Sequence, residues 1–398
     1  MPGPVALTDR SLAQRWREVK AGEEWFDDMH EVMTETVKEL LEEALDRELL
    51  EQLQAGWYSR NPDRVDWRNG YRTRSLQTRL GVIKDLRVPR SRRGTYQSKI
   101  LPRYDRYADS VQSLVCETFL AGVSTRRVGE VMEPLLGGTV SASTVSHMTK
   151  VLDAAVRAFH QRRLGDDVRY LFLDGVVLRV KGAAKVQRKA VLTAYGIKES
   201  GEKELIAFRM AASEASVHWE GFLNNLYQRG LEGKGLQLII TDGGKGLHQA
   251  LTLVYGQVRH QRCWVHKLRN VMGRLPAKWR VDCLKQLRTV YIVDTEAEAK
   301  KRYREWADKW RTLAAKAVEC VEPDIDSLLS FLHEPKELAS RLRTTNAIER
   351  CFREVRRRTR PMSCFNNDAS CERIMLAVFR YQNGRWKGHP IPHSTHNT

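Results

Sequence analysis

The run Leu236-Gln237-Leu238-Ile239-Ile240 constrains this chain more than any other stretch. It is nearly all apolar and too short for a free-standing helix. A strand of this kind has both faces covered, as in sheets packed between helices. A second run, Tyr170-Leu171-Phe172-Leu173, has the same character. Strands are expected at 168–180, 187–196, 203–210, 236–241 and 257–262, with a helix over 214–229. The first three strands are close in sequence, as in an antiparallel meander. The fold class is therefore α/β. Each apolar run ends in Asp-Gly, at Asp174-Gly175 and Asp242-Gly243. Singly these dipeptides read as turns. Together they fall where α/β sheets gather reactive groups, beyond the carboxyl ends of strands.

The segments around this core differ in composition. Residues 1–56 contain an acidic amphipathic helix from about 22 to 55, with Phe26, Met29, Val32, Met33, Val37, Leu40, Leu41 and Ala44 at helical spacing. Its apolar stripe needs a partner, either within the chain or in a second copy. From Trp57 to Tyr107 there are 14 Lys or Arg against 4 Asp. Within this 57–108 segment, Thr73–Leu80 and Val82–Val88 form an expected hairpin turning at Gly81. Arg72, Arg74, Arg79, Arg90, Arg92 and Arg93 are its candidate nucleic-acid contacts. Residues 109–163 read as three helices in a helix-turn-helix arrangement. The break at Gly137-Gly138 precedes a third helix whose apolar face is Val145, Met148, Leu152, Val156 and Phe159. Ser143, Thr144, His147 and Lys150 lie near its start, the part such motifs offer to the major groove.

The expected core, 164–275, is followed by an all-helical stretch at 276–340. There Thr295 and Glu298 have capping-box spacing. Tyr303, Trp306, Trp310, Leu313 and Ala317 recur as a stripe that reads as core, with base stacking by Trp306 or Trp310 as the alternative. Residues 341–385 return to the core through a final helix from Asn346 to Arg358. Ile348, Phe352 and Val355 form its buried face, and Glu349, Arg353 and Arg356 share the next. Asn346 and Glu349 also have capping-box spacing, which is the structural explanation for that glutamate. The tail, 386–398, is polar and expected to fray, beginning near Gly384.

Overall charge names the partner. The chain has 67 Lys plus Arg against 49 Asp plus Glu, a net charge of +18. More than half of that excess lies in about an eighth of the chain, the basic segment. Such an excess attracts a polyanion, DNA or RNA, and the helix-turn-helix makes double-stranded DNA the expected partner, with no small-molecule substrate. Seven scattered cysteines fit reduced thiols better than a disulfide framework. With neither a signal peptide nor a membrane-spanning run in the sequence, no membrane partner is expected and the site of action is the cytoplasm, at the nucleoid.

Three acids carry the chemistry: Asp174, Asp242 and Glu349. Two carboxylates about 4 Å apart repel by roughly 4 kcal/mol at an effective dielectric of 20. A divalent cation removes that cost, and hard oxygen ligands suit Mg2+, with Mn2+ as substitute. Two such ions can activate the attacking oxygen and stabilise the leaving one at a phosphodiester. Arg350, Arg353 and Arg356 would meet the phosphates. Cys263-x-x-His266 could suit zinc by spacing, but no second pair accompanies it.

Leu173-Asp174-Gly175, Thr241-Asp242-Gly243, Cys263-Trp264-Val265-His266 and Asn346-Ala347-Ile348-Glu349-Arg350 occur in this order around a helical insertion. The chain resembles the bacterial insertion-sequence transposases of the Mutator-like group, the insertion sequence 256 type, over nearly its whole length. That resemblance implies an RNase H-like core in which Asp174, Asp242 and Glu349 are an Asp-Asp-Glu triad. It implies that Cys263 and His266 lie beside the site, where they are expected to buttress the core or approach DNA rather than perform chemistry; Asn346 is expected to support the core near them. It further implies binding to terminal inverted repeats, metal-dependent strand cleavage and strand transfer, and a circular intermediate. Two ends held together make a homodimer on DNA the economical assembly, with the N-terminal helix as candidate contact. A structure-specific nuclease or resolvase on the same fold, and a non-enzymatic helix-turn-helix regulator, stay open as alternatives.

Overall fold

A computed structural model describes residues 25–56, 61–102, 106–136, 140–182, 185–360 and 363–391. The start of the N-terminal helix near residue 22, the Gly137-Gly138 break and the last seven residues of the tail lie outside the described residues. The chain forms two compact units, Met1–Val151 and Leu152–Thr398.

In the first unit, α1 (Trp25–Leu53) packs on the hairpin of β1 (Arg68–Thr78) and β2 (Gly81–Ser91). Leu45 joins Leu76, Ile83, Leu86, Val88 and Leu101 in one buried cluster, with Val37 and Leu41 against it. Part of the helix's apolar stripe is therefore used within the chain. The same helix compensates part of the hairpin's charge. Glu42 accepts bonds from Arg87 N and Nε at 2.9 and 2.8 Å, and Asp46 pairs with Arg68 at 2.5 Å. Glu48 accepts from the Tyr96 hydroxyl at 3.0 Å and from Lys99 N. Three helices follow: α2 (Asp109–Leu120), α3 (Thr125–Leu136) and α4 (Ala142–Met148). Ser141 caps α4 by accepting from Thr144 N at 3.1 Å.

The expected third helix does not run on to residue 159. It closes in a tight 3-10 turn at Thr149–Val151, and α5 (Leu152–Gln161) begins the second unit. Its apolar face is divided between two cores. Val145 and Met148 are buried in the first unit; in the second, Phe159 stacks on Phe208 at 5.7 Å and meets Phe379 edge-on at 6.0 Å.

The second unit is built on a five-stranded mixed sheet in the order β5-β4-β3-β6-β7. The strands are β3 (Val168–Lys181), β4 (Val186–Lys198), β5 (Lys203–Ala211), β6 (Leu238–Thr241) and β7 (Arg259–Arg262). β3, β4 and β5 form the antiparallel meander; β6 and β7 run parallel to β3. One face is covered by α6 (Ser216–Gln228) and α7 (Lys245–Val254), where Phe222, Leu223, Leu226, Leu247 and Leu251 meet Leu171, Leu173, Leu192 and Ile239. The strands thus have the covered faces their apolar runs require. α7 has no counterpart in the sequence reading.

Beyond the sheet come α8 (Trp264–Met272), α9 (Arg280–Thr289), α10 (Glu296–Val321), α11 (Ile325–Leu329) and α12 (Lys336–Leu342). Trp306 and Trp310 are buried, donating to Cys283 O at 3.2 Å and Gln286 Oε1 at 2.9 Å. Both rings are buried inside the helical layer, so neither offers an accessible face for a base to stack on. The layer is tied to the sheet by Gln261 and Trp264, which both donate to Leu328 O, and by Lys267, which donates to Cys320 O at 2.8 Å.

The chain ends in α13 (Asn346–Thr359) and α14 (Asp368–Trp386). The sequence reading made α13 the final helix; α14 is longer and more buried. Its Trp386 ring lies 5.3 Å from that of Tyr195 on the sheet. The stretch expected to fray from Gly384 instead completes α14, and Ile391 is buried with its N–H on Gly201 O at 2.9 Å. Among the described residues no helix is long and apolar enough to cross a membrane.

Candidate active site

Parallel pairing sets Leu173 of β3 beside Thr241 of β6. One residue further on, Asp174 and Asp242 occupy neighbouring positions. Adjacent strands lie about 4.8 Å apart, so the register alone brings these backbones together. The two acids differ in setting. The sequence reading put both at strand ends. Only Asp242 is at one, because β6 stops at Thr241. Asp174 sits mid-strand, because β3 stays paired to β4 as far as Lys181. Asp174-Gly175 is therefore no turn. Thr241-Asp242-Gly243 is: Gly243 has φ +86°, and Asp242 Oδ1 accepts from Gly244 N at 2.9 Å. A Cβ on Gly243 would fall 2.0 Å from Arg262 Nε, so this turn also requires glycine for space.

Asp174 is 7 % exposed and takes one bond, from Gly175 N at 2.8 Å. Burial, and then the Asp242 charge, push its pKa up to about 7. Thr193, directly across on β4, is fully buried, and its hydroxyl has no protein partner among the described residues. A buried carboxylate beside a second acid and an unsatisfied hydroxyl is costly for the protein alone.

Glu349 projects from the first turn of α13 into a cleft of about 330 Å³ lined by Asp174, Gly175, His266, Arg269, Glu349, Phe352, Arg353 and Arg356. Its Oε1 is 3.1 Å from Arg269 Nη1 and 3.6 Å from His266 Nε2. The capping-box explanation fails, because Thr345 occupies the N-cap and makes no side-chain capping bond. Among the described residues no three Asp, Glu, His or Cys side chains already converge closely enough to hold a metal ion.

His266 stands between the acids and a buried thiol. Its pKa is raised to about 9 by its hydrogen bond with Cys263, against burial, with the charges of Cys263, Asp174 and Asp242 adding to the rise. Cys263 is buried at the N-cap of α8; its Sγ accepts from Thr345 N at 3.3 Å and Thr345 Oγ1 at 3.4 Å. The thiol and Thr345 thereby fix α8 against the start of α13, which positions His266 and Glu349 together. Asn346, expected to support the core, is exposed; its buried neighbour Thr345 makes these contacts. Arg350 is also exposed and does not line the cleft, whereas Arg353 and Arg356 do.

Two residues escaped the sequence reading. Arg269 lies one helical turn beyond His266, a spacing that could have flagged it. Glu214 precedes α6 and comes against the site from the other side: a Cβ on Gly175 would lie 2.5 Å from its Oε1. Partial desolvation, despite surface exposure, and the Asp242 charge raise the Glu214 pKa. No sequence pattern marked it.

In the first unit, Arg72, Arg90, Arg92 and Arg93 line one groove of about 630 Å³ with Asn69. Arg74 and Arg79 instead donate to Pro102 O and Ser110 O. Ser143, His147 and Lys150 are exposed on or just beyond α4, and Thr144 is half-buried.

The family described as "Transposase, Mutator family" matches residues 8–389. The chain belongs to that family. It is 36% identical over 353 residues to the transposase for insertion sequence element ISRM5 of Rhizobium meliloti, covering 88% of each chain. It is 31% identical over 360 residues to the transposase for IS256 in transposon Tn4001 of Staphylococcus aureus, covering 89% of this chain and 90% of that one. Among solved structures, the Drosophila P element transposase strand transfer complex aligns with 71% of the chain at 12% identity and a TM-score of 0.29. That superposition is loose, and membership rests on the sequence matches. Membership makes this a transposase, an enzyme that cleaves DNA and transfers strands.

Proposed function

We propose that Asp174, Asp242 and Glu349 are the catalytic triad of this transposase, held on an RNase H-like core into which the helices of 276–340 are inserted. The observation that carries the reading is the register of β3 and β6, which brings Asp174 beside Asp242 at a cleft that Glu349 also lines. The mixed sheet with helices on its faces supports the core assignment. The donor set fits hard divalent cations, two Mg2+ ions or Mn2+ in their place: all-oxygen ligands, one deeply buried, in a setting that disfavours the bare charges. Bound there, the cations would supply a neutralising charge and an activated attacking oxygen at the scissile phosphodiester.

The chain's own residues orient the substrate. Arg353 and Arg356 take the phosphates that enter the cleft. Arg269 and His266 hold Glu349, which must leave that pair to join the aspartates. The groove of Arg72, Arg90, Arg92 and Arg93 and the start of α4 bind the terminal inverted repeats, with Ser143, Thr144, His147 and Lys150 reading the major groove. Two ends require two protomers. A homodimer on DNA would use the outer face of α1, where Met33 and Leu40 are exposed. A circular intermediate follows from strand transfer between the two ends, in the bacterial nucleoid.

The test incubates labelled DNA carrying the element's ends with protein and Mg2+. Cleaved and joined strands are expected from the wild type, and binding without cleavage from Asp174→Asn, Asp242→Asn and Glu349→Gln. Cleavage without joining would make it a nuclease. Undiminished cleavage in any variant would remove that residue from the triad.

A further inference from the structure

Past Asp174, β3 loses β6 as a neighbour, while β4 stays on β5 as far as Ala190 and Phe365 bridges to β3 at Val180. β6 ends at Thr241, and β3 and β4 continue together to Lys181 and Val186. Residues 175–190 carry five cations, Arg179, Lys181, Lys185, Arg188 and Lys189, and no acid. Alternation along β3 is undisturbed here: Val176, Leu178 and Val180 are buried, while Val177, Arg179 and Lys181 are exposed. The register sets Arg179 directly opposite Arg188 and Lys181 opposite Val186. Opposed residues share a face of the sheet, and like charges in that position destabilise the pair. Lys189 has a partner, Asp368 at 2.5 Å. Arg179, Lys181, Lys185 and Arg188 have none among the described acids. Arg179 and Arg188, with Val177 and Val186, surround a concavity of about 530 Å³.

The hairpin thus sets two exposed arginines opposite each other around a hollow, a like-charge pairing whose cost a polyanion removes. Guanidinium groups match phosphate oxygens in forked geometry. We propose that this end of the hairpin is a second DNA-binding surface, with Arg179 and Arg188 clamping the backbone of duplex DNA on the face of the sheet opposite Asp174. Arg179 is five residues from Asp174, about 17 Å along an extended strand. It also projects from the opposite face of the sheet. The phosphates it takes are therefore not those being cut, and this end of the hairpin steadies the duplex to one side of the reaction. Calling that duplex part of the reacting DNA rests on the triad reading; the contact itself does not.

The test uses the whole chain without divalent metal, so that failure of the triad reading leaves it intact. A fluorescent 40-base-pair duplex is titrated over a range of salt with wild type, with Arg179→Gln/Arg188→Gln, and with Lys301→Gln/Lys316→Gln, which removes two exposed cations of α10. Each lost phosphate contact lowers the slope of log Kobs against log salt by about 0.9, so the Arg179→Gln/Arg188→Gln variant should lose about 1.8 relative to wild type. A photo-crosslinking side chain at Val177 should attach to the duplex. A slope change no larger than that of the α10 pair, with no crosslink at 177, overturns the proposal. Circular dichroism spectra matching wild type exclude misfolding as the cause of a change.

Discussion

The hairpin of the first unit and the cleft of the second both concentrate charge, but they treat it in opposite ways. On the hairpin, Arg87, Arg68 and the Lys99 backbone are met by Glu42, Asp46 and Glu48 of α1. Asp66 is buried at the hairpin's base and receives Trp67 N, Arg93 N and the Thr95 hydroxyl. In the cleft, Asp174 is buried beside another acid with one backbone bond. Compensated charge builds the fold; uncompensated charge marks where something else must bind. Substitutions should therefore separate the two regions. Removing a cleft acid should cost chemistry and no stability, and removing a hairpin acid the reverse.

The largest effect expected is on chemistry. If Glu349 belongs to the proposed triad, Glu349→Gln should lower strand cleavage by about 10³-fold or more, because loss of a metal-binding carboxylate would remove several kcal/mol of transition-state stabilisation. Its urea midpoint should stay within error of wild type; an equal loss of stability would erase the contrast. Next is Asp174→Asn in the presence of EDTA. A carboxyl whose folded pKa is raised to about 7 costs stability as pH climbs from its unfolded value near 4, with the full cost reached above 7. At pH 8 the asparagine variant should be more stable than wild type by up to about 4 kcal/mol, and at pH 4 the gain should vanish. A destabilised variant at pH 8 would mean that the charge is compensated after all.

Smaller and opposite effects are expected on the hairpin. Glu42→Gln weakens bonds to both the backbone and the guanidinium of Arg87, so hydrogen exchange in β2 should report a loss of about 1–2 kcal/mol. Cleavage at saturating DNA should be unchanged. Asp66→Asn should lower the urea midpoint at pH 7. Burial works to raise the Asp66 carboxyl, but hydrogen bonds from Thr95, Trp67 and Arg93 outweigh it and hold the pKa well below the ordinary range. Its stabilisation is present above the unfolded pKa near 4 and fades as pH falls further. The midpoints of variant and wild type should therefore approach each other below pH 4. A constant gap would make the defect steric.

These contrasts also explain what the sequence could reveal. The strands were legible because Tyr170–Leu173 and Leu236–Ile240 are apolar on both faces, and the acids because each ends such a run or sits on a short amphipathic helix. The expected strand at 168–180 already held Asp174 in its interior, although the acid was read as closing the apolar run; what was not legible is that β4 continues where β6 stops, a difference in partner rather than in residue type. The division of the third helix at Thr149–Val151 has no glycine or proline to announce it; its two halves contribute to different cores. α14 was missed although Asn367 and Ser370 form a reciprocal cap, because its buried face carries Arg373 and Gln382 among its apolar residues. Arg373 is compensated by Asp153 at 2.7 Å, a residue 220 positions away. Glu214 came into the site only through the absence of a side chain on Gly175.

The most direct test places the cation itself. With Fe2+ in place of Mg2+ and ascorbate and peroxide added, hydroxyl radicals cut the polypeptide next to bound metal. Cuts are expected at three separated points, near 174, 242 and 349, all suppressed by excess Mg2+ and by Asp174→Asn. Cuts near 174 and 242 with none near 349, or cuts that persist in Asp174→Asn, would contradict a site shared by the three acids.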